Sequence, residues 1–146
     1  MRIAIVVSRF HDAITDRLLA GARDVLREQG LEDADVELLR VPGAFEVPSA
    51  AQRIAETGRV SAVVCLGCLI KGATPHFEYI AAACAQGITA AAAATGVPMS
   101  FGVLTTNSVE EALERAAPGD ANKGREAALA ALEMARLFES LGDRSS

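Results

Sequence analysis

Four short apolar runs alternate with longer amphipathic segments, and this pattern predicts an α/β fold: a four-stranded parallel sheet with helices on both faces, in three layers. Three observations carry that reading. The first run, Ile3-Ala4-Ile5-Val6-Val7, is continuously apolar, the mark of a strand covered on both sides. The segment that follows from Asp12 changes to helical spacing. The apolar fraction is 51% while the aromatic fraction is only 4% with no Trp, so the interior must be built mainly from Ala, Val, Leu and Ile, which suit helices packed on a buried sheet.

The polar loop Ser8 to His11 ends the first strand, and Ile14, Leu18, Leu19, Ala22, Val25 and Leu26 then outline a helix that Gly30 stops. Val36, Leu38 and Leu39 mark a second strand closed by Pro42-Gly43, and Val47, Ala50, Ala51 and Ile54 give a second helix ending near Gly58. The third strand spans Ala62 to Leu66, with Gly67 and Gly72 in the loop after it. Residues 75–95 read as one helix that is apolar nearly all the way round, which implies burial on two sides, the second against another subunit.

Gly96-Val97-Pro98 ends that helix, and Met99 to Leu104 is the fourth strand. Ser108-Val109-Glu110-Glu111 is a capping box, in which the Ser hydroxyl and Glu carboxylate each serve the other's backbone N–H and open a fourth helix. After the Pro118-Gly119 break, Asn122 opens the last helix, with Ala127, Ala128, Ala131, Leu132, Ala135 and Phe138 on one apolar face; the tail from Gly142 reads as frayed. Strands alternating with helices in this order give a flavodoxin-like three-layer sandwich over a single domain, residues 1–146.

The net charge of -5, with acids and bases dispersed, provides no basic stripe for a phosphate backbone and excludes nucleic acid as an expected partner. The longest apolar stretch, Ile88 to Val97, is far too short for a membrane span. The first strand begins so early that no signal peptide is expected. Three cysteines, Cys65, Cys68 and Cys84, cannot all pair within one chain and suit a reducing cytoplasm better than a secreted disulfide framework.

In sheets of this kind, ligands bind outside the carboxyl ends of the strands. Four segments lie there: Ser8 to His11, Pro42 to Glu46, Gly67 to His76, and Thr105 to Asn107. Phe10 serves as a ligand platform or as a lid on the core. Glu46 binds a ligand or merely complements a helix dipole. Lys71-Gly72-Ala73-Thr74-Pro75-His76 offers a glycine and open helix N–H groups to an anion, or is an ordinary turn with proline at its end. His76 suits proton transfer near neutral pH, or is a surface residue at a helix start.

Cys65 and Cys68 form a C-x-x-C at a strand end, away from any helix N-terminus that would stabilise a thiolate, so they read as buried structural thiols. A zinc site would need ligands beyond His11 and His76 and is not expected.

Read in order, these loops resemble the lumazine synthase family, which carries out the penultimate step of riboflavin biosynthesis. The residues that carry the likeness are Arg9-Phe10, Val41-Pro42-Gly43-Ala44-Phe45-Glu46, the run Leu69 to Tyr79, Phe101-Gly102-Val103-Leu104-Thr105-Thr106, Glu114-Arg115-Ala116 and Asn122-Lys123-Gly124. The resemblance implies condensation of 5-amino-6-(D-ribitylamino)uracil with 3,4-dihydroxy-2-butanone 4-phosphate to 6,7-dimethyl-8-ribityllumazine, phosphate and water, without a metal or organic cofactor. It implies that Phe10 stacks on the pyrimidine, that Ala44, Phe45 and Glu46 hold the ribityl chain, and that Leu69 and Ile70 read the pyrimidine edge. Gly72, Ala73 and Thr74 would bind phosphate together with Arg115, His76 would move protons, and Lys123 would complete the ribityl end. Lys71 would lie in the same loop.

The resemblance also implies a homo-oligomer, a pentamer that some members build into icosahedral shells, with Phe101, Arg115 and Lys123 reaching the site from the neighbouring subunit. The Pro118-Gly119-Asp120 turn lies where the size of the assembly is thought to be influenced. Lys71 stands where many members have Arg, which keeps the charge but loses a planar fork. His11 replaces a frequent Asn, Asn107 a frequent acid, and the chain starts almost at the first strand, without the leading segment that adds a strand to a neighbour's sheet. Two other readings fit the fold: a flavin-binding carrier, which the lack of a Ser/Thr-rich first loop disfavours, and a shell protein with a decayed site, which the joint presence of Phe10, Glu46, Thr74, His76, Arg115 and Lys123 disfavours.

Overall fold

Residues 1–142 are described by a computed structural model. Strands β1 (Ile3–Ser8), β2 (Val36–Val41), β3 (Ala62–Ile70) and β4 (Met99–Thr106) make one parallel sheet in the order β2-β1-β3-β4. They alternate with helices α1 (Asp12–Glu28), α2 (Val47–Glu56), α3 (His76–Thr95), α4 (Val109–Arg115) and α5 (Lys123–Gly142). The architecture is the three-layer α/β sandwich that the sequence predicts.

Period-two alternation along β1 sends its side chains to opposite faces, and each face gathers its own core. Ile3, Ile5 and Val7 pack with Leu18, Ala22 and Leu26 of α1 and Ala128 and Leu132 of α5. Ala4 and Val6 pack with Val47, Ala51 and Ile54 of α2 and Cys84 and Ile88 of α3. All six β1 residues are buried, which explains why the run carries no polar residue before Ser8.

The outer layer of α1 and α5 is drawn together by small residues. A methyl on Gly124 would strike the backbone of Leu18 in α1, and a methyl on Gly21 would strike the side chain of Asn122. At the edge strand, a methyl on Gly102 would stand 2.8 Å from Ala127 Cβ and 2.7 Å from Leu66 Cδ2, so α5 also lies hard against β4.

Several expectations need correction. β3 runs to Ile70 and β4 to Thr106, beyond the expected ends at Leu66 and Leu104, because parallel pairing continues from Val63↔Met99 to Ile70↔Thr106. Gly67, Leu69 and Ile70 therefore belong to a strand, not a loop. Glu46 ends a 3-10 turn, Ala44–Glu46, and precedes α2 instead of sitting inside its first turn.

The Ser108 hydroxyl accepts the Glu111 N–H at 3.1 Å, but the Glu111 carboxylate is taken by Arg115 at 3.0 Å, so only half of the expected capping box forms. Phe138 is 41% exposed, because α5 turns its alanine face inward and leaves Met134, Leu137, Phe138 and Leu141 outside. Gly142 is the last residue of α5, and the rest of the expected tail, 143–146, lies outside the described residues. In α3 only Cys84, Ile88 and Ala91 are buried; Ala82, Ala90, Ala93 and Ala94 remain exposed in the single chain.

Candidate functional site

The carboxyl ends of β1, β2 and β3 open on the α3 side of the sheet, where a cleft of about 780 Å3 is framed. Backbone bonds tie its first two loops together: the N–H groups of Arg9 and Phe10 donate to the carbonyls of Val41 at 2.8 Å and Pro42 at 3.0 Å. Phe10 is held out of the core, 66% exposed, so the lid-on-the-core reading does not apply to it.

His11 turns the chain from the loop into α1 in the left-handed region, φ 61° and ψ 50°. Non-glycine residues seldom adopt that conformation, though Asn, Asp and His do so most readily. Its ring lies 4.5 Å from that of Phe10, tilted by 43°. Both rings line the cleft, so His11, which the sequence places in the first strand-end segment without a specific contact, belongs to its wall.

From the second loop come Gly43, Ala44, Phe45 and Glu46. The Glu46 carboxylate accepts the Gly43 N–H at 2.9 Å, an interaction that shapes the turn and fixes the carboxylate at the cleft wall. A methyl on Gly43 would stand 3.3 Å from that same oxygen, a tight contact that a small shift of the carboxylate would relieve.

The third side is built by the end of β3 and the start of α3. Leu69, Ile70, Gly72, Thr74 and His76 line it, and Phe77, Tyr79, Ile80 and Ala83 extend it along α3. Tyr79, Ile80 and Ala83 lie at helical spacing from His76, a signal present in the sequence but absorbed there into the general apolar character of the helix. α3 begins at His76 without a side-chain cap, so its first N–H groups carry the partial positive charge of a helix start facing the Gly72 to Thr74 loop. Lys71 and Ala73 are exposed beside this cleft without lining it; the Lys71 N–H is held by the Thr106 carbonyl at 2.8 Å.

Phe101, Arg115 and Lys123 lie elsewhere. They share a second cleft of about 400 Å3, between the edge strand β4 and α5, with Ser100, Thr105 and Ala130. The fourth strand-end segment therefore does not join the first three. Thr105 faces this second cleft, Thr106 is buried and Asn107 is exposed. The reason is topological: β4 is the outer strand, and its loop turns toward α4 and α5 on the opposite face from α3. Phe101 points out from β4, 46% exposed. Arg115 pairs with Glu111 at 3.0 Å and Lys123 with Glu126 at 3.1 Å, each within its own helix.

A family model described as 6,7-dimethyl-8-ribityllumazine synthase matches residues 1–139. The chain belongs to the 6,7-dimethyl-8-ribityllumazine synthase family. A relative of that name from Halorhodospira halophila (strain DSM 244 / SL1) is 51% identical over 140 residues, covering 96% of this chain and 90% of the relative. Another, from Syntrophus aciditrophicus (strain SB), is 50% identical over 141 residues, covering 97% of this chain and 92% of the relative. Membership of the 6,7-dimethyl-8-ribityllumazine synthase family makes the protein an enzyme of riboflavin biosynthesis, a transferase.

Among the described residues no helix is long and apolar enough to cross a membrane, and no three His, Cys, Asp or Glu side chains gather as metal ligands. The three cysteines are free and buried. Burial pushes the Cys68 and Cys84 thiols up to about 11. Burial, with the neighbouring Cys84 thiol adding to it, pushes Cys65 higher still. None offers a thiolate near neutral pH, in line with the structural reading of the C-x-x-C.

Proposed function

We propose that this chain condenses 5-amino-6-(D-ribitylamino)uracil with 3,4-dihydroxy-2-butanone 4-phosphate to 6,7-dimethyl-8-ribityllumazine, phosphate and water, in the cytoplasm, at sites formed between copies of the chain. The observation that carries the shared site is the division of its parts. An aromatic and apolar cleft ending at a helix start holds Phe10, Glu46, Thr74 and His76, while the cations Arg115 and Lys123 lie with Phe101 in a separate cleft. The first cleft has His76 but no Arg or Lys in its lining, and the second has the cations but no histidine, so neither half alone offers both proton transfer and a side-chain countercharge for a phosphorylated ketone. A homo-oligomer, as in a pentameric ring, brings the second cleft of one copy to the first cleft of the next.

In this reading the pyrimidine stacks on Phe10, with Leu69 and Ile70 along its edge. Ala44, Phe45 and Glu46 hold the ribityl chain, which Lys123 of the adjacent copy completes. Gly72, Ala73 and Thr74 receive the phosphate at the α3 start, countered by Arg115 of that copy, and Lys71 adds positive charge nearby. The 5-amino group of the uracil attacks the ketone carbonyl and one water leaves to give an imine. Loss of a proton from the adjacent carbon expels phosphate and gives an enol that tautomerises to a ketone, and the ribitylamino nitrogen closes the ring on that carbonyl with loss of a second water. His76 is the group placed to carry protons in these steps. Holding the amine and ketone together supplies much of the rate, since joining two reactants in one site removes a large entropic cost.

The apolar face of α3 left exposed at Ala82, Ala90, Ala93 and Ala94 and the exposed side of α5 at Met134, Leu137, Phe138 and Leu141 are surfaces such an assembly would cover. The test is to mix purified protein with both substrates and follow product fluorescence against the slow uncatalysed reaction. Acceleration that disappears in Arg115→Ala supports the reading; a well-folded oligomer without acceleration contradicts it.

A further inference from the structure

Asn122 is 2% exposed where α1, α4 and α5 meet. Its Nδ2 donates to the carbonyls of Ala116 at 2.8 Å, Ala117 at 3.2 Å and Arg17 at 3.3 Å. Its Oδ1 accepts the Arg125 N–H at 3.0 Å and so caps α5. Ala116 and Ala117 directly follow Arg115, and Lys123 directly follows Asn122. One buried amide therefore fastens the end of the helix that carries Arg115 to the start of the helix that carries Lys123, and both to α1.

Only an amide meets these demands. A carboxylate of the same shape would present oxygen to three carbonyls, and a serine hydroxyl could cap α5 but lacks the second arm that reaches Arg17. The surroundings are cut to fit it, since Gly21 leaves the space that the Asn122 side chain fills. Arg115 and Lys123 have little else to hold them: their side chains are 45% and 44% exposed, and among the described residues each pairs with an acid one turn away in its own helix. Ion pairs this exposed contribute little rigidity.

We propose that Asn122 is a positioning residue for the substrate-binding cations, setting the spacing of Arg115 and Lys123 without touching substrate itself. This rests on the reading above, in which both cations bind substrate. Two cations on different helix ends grip a bound molecule only when their separation matches it, so loosening the junction weakens binding. The proton-transfer group, His76, sits in the other cleft on α3 and is not displaced.

The experiment measures KM for each substrate and kcat on the intact oligomer, with Tm alongside, for Asn122→Ser and Gly21→Ala. The first keeps an oxygen for the Arg125 N–H and removes the amide donor. The second presses a methyl on the Asn122 side chain from α1 and leaves Arg115 and Lys123 unaltered. Leu132→Ala opens a cavity in the same layer away from the junction and serves as the control for lost stability. Both test variants are expected to raise KM for both substrates about tenfold with kcat held within about twofold, a loss of binding common to ground and transition states. Leu132→Ala is expected to leave both KM values in place.

Unchanged KM in Asn122→Ser and Gly21→Ala, or KM values raised equally by Leu132→Ala, overturns the proposal. Arg115→Ala and Lys123→Ala separate it from its foundation. If those two raise KM while the junction variants do not, Asn122 is not a positioning residue. If they do not raise KM, the binding role of the cations falls, and the proposal with it.

Discussion

Replacing Gly124 by Ala probes a close approach of α5 to α1. The new methyl would lie 2.6 Å from the carbonyl carbon and 2.8 Å from the Cα of Leu18, and closer still to its carbonyl oxygen. These are backbone atoms of a buried turn of α1, so no rotamer change relieves the clash; α5 must move away from α1. Overpacking of this kind costs about 1–3 kcal/mol, and an obstacle made of backbone places it near the upper end. Alanine returns up to about 1 kcal/mol through better helix propensity. The net loss of about 2 kcal/mol corresponds to a Tm fall of about 4–8 °C in a chain of this size. Thermal unfolding followed by circular dichroism measures it. A Tm equal to or above that of the parent protein would refute the packing of α1 on α5 described here.

Gly72→Ala should behave in the opposite way: its methyl meets nothing within 4 Å, so Tm moves by no more than about 1 °C, while KM for the phosphorylated substrate rises because the backbone loses its close approach. Two exposed clusters make stability pH-dependent. Hydrogen bonding to Arg125 holds the Glu28 carboxyl below the usual carboxylate range, and Arg59 does the same for Glu37. Both groups are depressed in the folded chain, so their stabilisation is present above the unfolded carboxylate value near about 4.3 and fades as pH falls through the folded values. Urea midpoints measured from pH 7 downward should drop in that window, and a Glu28→Gln/Glu37→Gln double variant should drop less. The buried thiols should resist alkylation by iodoacetamide at pH 8 in the folded protein and react on unfolding; rapid modification of the native chain would contradict their burial.

Much of this fold is legible because the strands are buried on both sides. Ile3 to Val7 has no polar interruption, and Gly30, Gly58 and Gly96, all at positive φ, punctuate the helices where the sequence places the breaks. The ends of β3 and β4 are not legible. Gly67 reads as a break in β3, and it is the ladder between the strands that carries β3 through it to Ile70 and β4 on to Thr106. Phe138 shows how periodicity fails when two faces of a helix are apolar: the alanines of α5 can approach α1 and β4 more closely than a phenylalanine could, so they take the inner side.

The loops after β1, β2 and β3 are recognisable as one cleft from the strand-end rule alone. The left-handed turn at His11 is not, since His tolerates that conformation more readily than most residues but does not require it. The separation of Arg115 and Lys123 from that cleft is likewise invisible in spacing. It follows from β4 lying at the edge and sending its chain to the other layer, a property of strand order.

A site shared between two copies of the chain can be rebuilt by complementation. His76→Ala disables the first cleft and Arg115→Ala the second, and at substrate concentrations well below the parent KM each protein alone should be close to inactive. Unfolded together and reassembled in equal amounts, they should recover about a quarter of the parent activity, since in a head-to-tail ring an intact first cleft meets an intact second cleft at about one junction in four. Mixed assemblies that stay as inactive as either variant would place His76 and Arg115 in one chain's own site and contradict the account.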